Sequence, residues 1–474
     1  MTRRNSSFRF KLFDIKGYLT ISLLLACKLC FSQLDSIKIT SIELTGNKKT
    51  HANIILRELD VNKNDFVAVA DTANICLINK NKIFNTNLFV TVNLFLTPID
   101  AINYRLNIVL KERWYIFPIP IFELADRNFN EWWNQRNRDI NRIEWGLRFK
   151  HDNFRGRNQK LKIVLQAGFT KKYEIFHELP YINKNKTLGM NYGISYSTNK
   201  SIAYNQKDNK LMYLNSENIL RKRFFSEISF NYRQKFFATH NFGLSFHTYT
   251  ISNEVLKNTS FYFVDKEKKQ NFLRFSYSFN LNKTNINYYP TKGYKINGSI
   301  TQNGIGIFKS LALTEVRISF SKYVEIKPKL FLAHRLTLKT STPVYQPYNL
   351  QYGLGYGENL VRGFQPYVID GQNFALNRNE LKYCILTFTS KLKKMMPVKQ
   401  FETVPYSVYL KLFTDIGYVG NQDYRINSTL ANKIGSCIGL GLDIVSYYDA
   451  VIRFEYSLNS LKEFGFNMRF EKAI

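Results

Sequence analysis

The segment Lys462 to Phe470 reads KEFGFNMRF. In an extended chain Phe464, Phe466, Met468 and Phe470 fall on one face, and Glu463, Gly465, Asn467 and Arg469 on the other. The segment before it behaves alike, with Ala450, Ile452, Phe454, Tyr456 and Leu458 set against Arg453, Glu455 and Ser457. Period two with one fully apolar and one fully polar face suits a strand between lipid and a wet lumen. A soluble sandwich also alternates, but its apolar faces need a second sheet. Beyond the first thirty residues no window is long and apolar enough to span a bilayer as a helix, so any crossing must be made by strands. The 39 Phe, 30 Tyr and 4 Trp can supply two interfacial girdles.

Sixteen candidate strands centre near residues 120, 147, 165, 191, 212, 228, 246, 278, 299, 319, 335, 380, 412, 440, 454 and 466. The fold expected is a transmembrane all-β barrel of sixteen antiparallel strands over residues 113–474, preceded by one small α+β domain. An even strand number returns both chain ends to the same side. The longest gap, Pro343 to Asn373, then falls between strands 11 and 12 on the extracellular side.

Residues 1–32 read as an export signal. Arg3, Arg4, Arg9, Lys11 and Lys16 form a basic head, Gly17 to Cys27 is an apolar core, and Cys30 and Ser32 allow cleavage after Ser32. The run is too short for an anchoring helix. Lipidation at Cys27 of Leu24-Leu25-Ala26-Cys27 is the other reading, disfavoured by Lys28. Cys76, Cys384 and Cys437 remain, with no spacing of a disulfide framework or zinc site. The formal charge is +31, and removal of six basic residues and Asp14 with the signal leaves about +26. The excess is spread along the chain without a nucleic-acid-binding motif. It points to lipid and lipopolysaccharide phosphates and a polar lumen rather than to nucleic acid.

Residues 34–112 read as a compact α+β unit. Ile37, Ile39, Ile42 and Leu44 mark a strand ending at a Gly46-Asn47 turn, and Thr50 is placed to cap a helix carrying Ile54, Ile55, Leu56 and Leu59. A second helix is expected from Asp71 to Phe84, then strands at Phe89–Leu96 and Tyr104–Leu110. The order β-α-α-β-β, with IELTGN, LFVTV and LKER, resembles a POTRA domain. An exposed strand edge there can take an extended peptide as an added strand; a plain spacer domain is the alternative.

The long gap holds Gly357-Glu358-Asn359-Leu360-Val361-Arg362-Gly363-Phe364. Pro290-Thr291-Lys292-Gly293, Asn379-Glu380-Leu381, Phe413-Thr414-Asp415-Ile416-Gly417 and Gly439-Leu440-Gly441 follow one another through the barrel. The final strand carries Glu463, Gly465, Met468 and Phe470 as a polar–x–Gly–x–x–hydrophobic–x–aromatic signal. Together these resemble the BamA/TamA-type outer-membrane assembly superfamily, a POTRA domain plus a bacterial surface antigen barrel of sixteen strands. The chain departs from that pattern in having one POTRA-like domain and in running four residues past the terminal aromatic. The resemblance implies a sixth extracellular loop folded into the lumen with Val361, Arg362, Gly363 and Phe364 at its tip. It implies location in the outer membrane of a Gram-negative bacterium, with the N-terminal domain in the periplasm.

A guanidinium inside a lumen needs carboxylates. Val408, Leu410 and Leu412 facing lipid turn Lys411 and Asp415 inward; Leu381, Tyr383 and Ile385 facing out turn Arg378, Glu380 and Lys382 inward. Arg362 is therefore expected to pair with Asp415, Glu380 or both. Pro118 and Pro120, two apart, remove donors from one edge of the first strand and weaken a seam with strand 16, unless they lie in the linker before it.

Nothing in the sequence marks enzyme chemistry or a cofactor. His51, His151, His177, His240, His247 and His334 lack metal-ligand spacing, Gly353-x-Gly355-x-Gly357 is a loop rather than a phosphate cradle, and no G-x-S-x-G elbow occurs. The leading expectation is a factor that captures unfolded outer-membrane or secreted polypeptides through residues 34–112 and inserts or translocates them at the strand 1/16 seam. Two alternatives stand beside it: a two-partner-type secretion pore for one dedicated polypeptide, and a non-transporting accessory barrel. Accessory lipoproteins or other outer-membrane subunits are further partners such a protein can have.

Overall fold

The computed structural model describes residues 36–124, 132–133, 137–183, 185–234, 237–308, 311–391, 403–446 and 450–472; the export segment, Cys27 and Cys30 lie outside these. The described residues form two compact units. One holds the segments up to Thr45, Leu59–Lys80 and Asn93–Val109; the other holds Gly46–Glu58, Asn81–Val92 and everything from Leu110 on.

The N-terminal sheet contains β1 (Ser36–Thr45), β2 (Phe66–Ala68), β3 (Phe89–Pro98) and β4 (Asn103–Glu112), in the order β2-β1-β4-β3. The helices are α1 (Ala52–Leu56) and α2 (Thr72–Phe84). β1 runs parallel to β4 and antiparallel to β2, a three-residue strand too short to show period-two alternation in sequence. Thr50 does not cap α1: the N-cap is His51, which makes no side-chain cap. Glu112 explains the difference. Its Oε1 accepts the Thr50 N–H at 2.7 Å, and the Thr50 hydroxyl bonds Tyr115 Oη at 3.0 Å.

Sixteen strands form one antiparallel sheet. They are β5 (Ile116–Leu124), β6 (Ile143–Phe154), β7 (Gln159–Gly168), β8 (Thr170–Leu179), β9 (Leu188–Asn199), β12 (Arg221–Gln234), β13 (Ala238–Ile251) and β14 (Lys269–Thr284), then β15 (Gly293–Asn303), β16 (Leu313–Lys327), β17 (Leu330–Thr342), β18 (Asn373–Lys391), β19 (Thr403–Gly420), β20 (Ile434–Val445), β21 (Ala450–Asn459) and β22 (Phe464–Lys472). Each pairs with the next in chain order, and β5 and β22 stand at the two ends. Apolar and aromatic side chains alternate outward, as Leu410, Leu412, Ile416 and Tyr418 do on β19, while Lys411, Phe413 and Asp415 are buried within.

Two strand positions differ from the sequence expectation. The segment near residue 212 is no barrel strand: β10 (Ser201–Lys207) and β11 (Lys210–Asn215) pair as a separate hairpin between β9 and β12. The barrel strand it stood for is β8, joined to β7 through Phe169 alone. Gly168, at φ +92°, turns the chain there without room for a loop, so 159–179 reads as one continuous run in sequence. The two errors cancel in the count.

The long connections, residues 200–220, 252–268 (with α3, Asn253–Asn258), 343–372 and 421–433, share one end of the barrel, here the loop end, with the one-residue link between β7 and β8 and the short link between β21 and β22; the opposite end is the turn end. The tip of β10–β11 reaches two loops: in the longest, the Val368 N–H donates to Asn209 O at 2.8 Å, and in the loop between β19 and β20, Thr429 Oγ1 accepts from Asn209 Nδ2 at 2.6 Å.

Candidate functional site

The loop between β17 and β18 enters the lumen and carries there a short 3₁₀ turn, Arg362–Phe364. Arg362 is 3% exposed and Asp415 fully buried. Arg362 Nε donates to Asp415 Oδ2 at 2.9 Å, Nη2 to Oδ1 at 2.5 Å, and the Arg362 backbone N–H to Oδ2 at 3.0 Å. Nη1 reaches Glu380 Oε1 at 2.5 Å and Glu455 Oε1 at 3.3 Å. The guanidinium carbon lies 3.9 Å from the centre of the Phe413 ring. Asp415 and Glu380 are the carboxylates that strand parity turns inward. Strand parity turns Glu455, on β21, inward as well but does not assign it to Arg362, because nothing local says that strand curves back toward the same loop.

The wall that receives the loop tip is bare. On β20 the inward positions are Gly435, Cys437, Gly439 and Gly441, then Asp443. An added Cβ at Gly435 would stand 3.3 Å from Phe364 Cζ, one at Gly439 2.5 Å from Phe413 Cζ, and one at Gly441 2.6 Å from Lys411 Cε. Val361 sits over Gly417 of β19, where a Cβ would meet Val361 Cγ2 at 2.5 Å. Gly363 itself is pressed on the wall, and a Cβ there would stand 2.8 Å from Cys437 Cβ and 2.9 Å from Asn459 Cβ. Asn459 Nδ2 donates to Gly363 O at 2.9 Å. Each residue of Val361-Arg362-Gly363-Phe364 thus meets its own receptor in the C-terminal strands.

A second wall grips the same loop. On β16–β18, Arg317 faces Lys339 across one strand pair and Arg335 faces Arg378 across the next. Like charges directly opposite repel. Here the loop supplies acceptors: Arg317 bonds Asn359 Oδ1, Lys339 Nζ the Tyr352 carbonyl at 2.5 Å, Arg335 the Glu358 carboxylate at 3.3 Å, and Arg378 the Glu358 carbonyl at 2.8 Å and the Leu360 carbonyl. The loop is held by cations on one side and by acids on the other.

A family model for the Omp85 superfamily domain matches residues 153–469. The chain belongs to the Omp85 superfamily. Among solved structures, BamA from Haemophilus ducreyi lacking POTRA domains 1-3 is similar with a TM-score of 0.51 and 15% identity, over 92% of this chain and 84% of that one. CdiB from Acinetobacter baumannii is similar with a TM-score of 0.48 and 12% identity, over 92% of this chain and 73% of that one. No curated protein matches. At the family level this is an outer-membrane insertion or translocation protein.

In this Omp85 barrel a further buried network adjoins the loop. Lys411 Nζ lies 2.7 Å from Asp443 Oδ1 and 2.8 Å from Glu455 Oε1; Arg469 of β22 reaches Glu455 Oε2 at 2.6 Å. Tyr289, from the turn before β15, donates to Asp443 Oδ2 at 2.9 Å. That turn begins β15 at Gly293, whose φ of +103° and contact with the Lys283 carbonyl admit no side chain. At its other end Asn287 Nδ2 donates to Asn85 O at 3.3 Å. Glu455 is therefore shared by Arg362 of the loop, Lys411 of the wall and Arg469 of the last strand.

The remaining sequence-selected residues do not gather at this site. Gly465, Met468 and Phe470 lie along β22, with Met468 and Phe470 outward. Glu463 precedes the strand, and its carboxylate accepts from Tyr367 Oη at 2.7 Å and Asn459 Nδ2 at 2.9 Å. Pro118 and Pro120 lie within β5. The Asp152 N–H donates to Tyr115 O at 2.9 Å, and the register Ile116↔His151 to Leu124↔Ile143 is unbroken. Alternation then gives residues 117, 119 and 121 to β6 and turns the backbone of 116, 118, 120 and 122 toward the other edge. Both missing N–H groups fall on that edge, where the Trp114 indole N–H also takes the Ile116 carbonyl.

Proposed function

We propose that this Omp85 protein handles unfolded polypeptides at the β5/β22 seam, inserting outer-membrane precursors or passing secreted ones. The observation that carries the reading is the edge of β5 that faces away from β6. Proline supplies no donor at 118 and 120, and Trp114 occupies the acceptor at 116. An edge so depleted pairs weakly with β22 and leaves the strand free to part sideways and template a client strand.

In this reading residues 34–112 are a periplasmic POTRA-like receptor. β2 pairs with residues 36–38 of β1, and Asp65 and Asn64 continue that pairing to Ile39; the backbone of β1 beyond Ile39 on that side is where an added strand would pair. The turn end faces the periplasm, and the loop end faces the exterior. With Arg362 holding the loop in the lumen, passage straight through the barrel is blocked, which favours work at the seam over open diffusion. Client folding drives the reaction, so no nucleotide or cofactor is required.

Depletion in the native host tests the reading. Broad loss of outer-membrane barrels supports insertion, and loss of a single secreted protein supports a dedicated secretion pore. Normal levels of both would make the protein an accessory barrel and end the proposal.

A further inference from the structure

On β8, β9, β12, β13 and β14 the outward positions alternate with inward ones without a break in register. The outermost outward row at the loop end runs Lys171, Thr198, Lys222, Thr250, Lys269, each residue directly paired with the next across a strand boundary. The three lysines are exposed, while Thr198, paired with both Lys171 and Lys222, is buried at 8% exposure. The next row toward the turn end is Tyr173, Tyr196, Phe224, Thr248 and Asn271, and the one below it Ile175, Ile194, Ser226, Phe246 and Leu273. Below the lysine row come three aromatics on β8, β9 and β12, with polar Thr248 and Asn271 beside them on β13 and β14, and then a row that is apolar except for Ser226; this follows the order from headgroups to acyl chains.

Charge is sorted between the two faces. Every acid of these five strands, Glu174, Glu178 and Glu227, takes an inward position, so no carboxylate shares the outward face with the lysines. On β15–β22 no Lys or Arg takes an outward position at the loop end. The lysines are thus a one-sided feature of the barrel's first half and not a general girdle. Strands about 4.8 Å apart set neighbouring lysines of the row roughly 10 Å from each other, with a threonine hydroxyl between them. Strand tilt slants the row through the headgroup zone.

We propose that Lys171, Lys222 and Lys269, with Thr198 and Thr250, form a binding rail for a membrane glycolipid that carries two phosphates on one headgroup. Spacing is the reason for two phosphates: a headgroup with one can engage a single lysine, whereas a headgroup phosphorylated at both ends bridges two. That the lipid lies in the outer leaflet rests on the orientation proposed above; the binding itself does not.

The test uses the full chain, purified in a non-ionic detergent, with diphosphoryl lipid A, monophosphoryl lipid A or phosphatidylglycerol added and bound lipid counted by native mass spectrometry. The wild type should retain diphosphoryl lipid A at least tenfold more tightly than the other two. Lys171→Gln/Lys222→Gln/Lys269→Gln should lose roughly 100-fold in that affinity, while the triple arginine variant keeps it. Lys283→Gln/Lys322→Gln, at the turn end, should bind as the wild type does. Equal retention by the triple glutamine variant, equal affinity for the one- and two-phosphate lipids, or displacement by millimolar inorganic phosphate would each overturn the proposal. Substitution of exposed side chains leaves the barrel folded, and none of these outcomes depends on whether clients are inserted or secreted.

Discussion

Arg362 gives Asp415 three hydrogen bonds, two from its guanidinium and one from its own backbone N–H. The carboxylate therefore fixes both the side chain and the turn that carries it. Asp415→Ala should leave Arg362 buried with Glu380 and Glu455 as its remaining acids, costing about 3–5 kcal/mol. Glu380→Gln removes one of the contacts of Arg362 and the ion pair with Lys382 at 2.9 Å, leaves Asp415 in place, and should cost less. The loop between β17 and β18 should then be cut by added protease near Glu358–Gly363 in Asp415→Ala and stay resistant in Glu380→Gln. Equal resistance in both would show that Asp415 does not hold the loop.

Gly363→Ala tests shape without touching charge. Its new Cβ would stand 2.8 Å from Cys437 Cβ and 2.9 Å from Asn459 Cβ, and both neighbours are backbone-near atoms that yield little. Overpacking of this kind costs about 1–3 kcal/mol. Protease sensitivity of the loop should rise, and Cys437→Gly should restore resistance by clearing one of the two contacts.

The lumen-facing site was legible in sequence only where parity could speak. Alternation along β18 and β19 turned Glu380 and Asp415 inward, and the loop motif supplied the arginine to meet them. Glu455 lies on a strand whose inward residues are equally plain, yet which inward acid meets the loop depends on barrel closure, a property of the whole sheet. The glycines of β20 could be matched by resemblance but not explained. Their purpose is visible only when Phe364, Phe413 and Lys411 are seen to fill the space they leave. The fold is legible in kind and in strand count; β8 is hidden by a one-residue turn, and β11 reads as a wall strand because a hairpin in a loop alternates like any other.

Glu455 couples three groups, so their contributions should not add. Arg362→Ala and Lys411→Met each remove one cation from the same oxygen of Glu455, Oε1. Thermal unfolding of the two single variants and the double variant should give an interaction energy of about 0.5–3 kcal/mol. Leu332→Ala, on the outward face of β17, should combine additively with either. Additivity between Arg362 and Lys411 would mean that the loop and the wall are held independently.

Restoring donors to the edge of β5 should close the seam. Pro118→Val and Pro120→Val return two N–H groups to the edge facing away from β6, each worth about 0.5–1.5 kcal/mol when paired. The pairing with β6 should be untouched, because residues 117, 119 and 121 make it. The double variant should fold as the wild type does but handle clients more slowly, with stronger hydrogen-exchange protection along β5. A cysteine pair joining β5 to β22 should abolish activity under oxidation and regain it on reduction. Full activity in the oxidised, crosslinked protein would rule out opening between these strands.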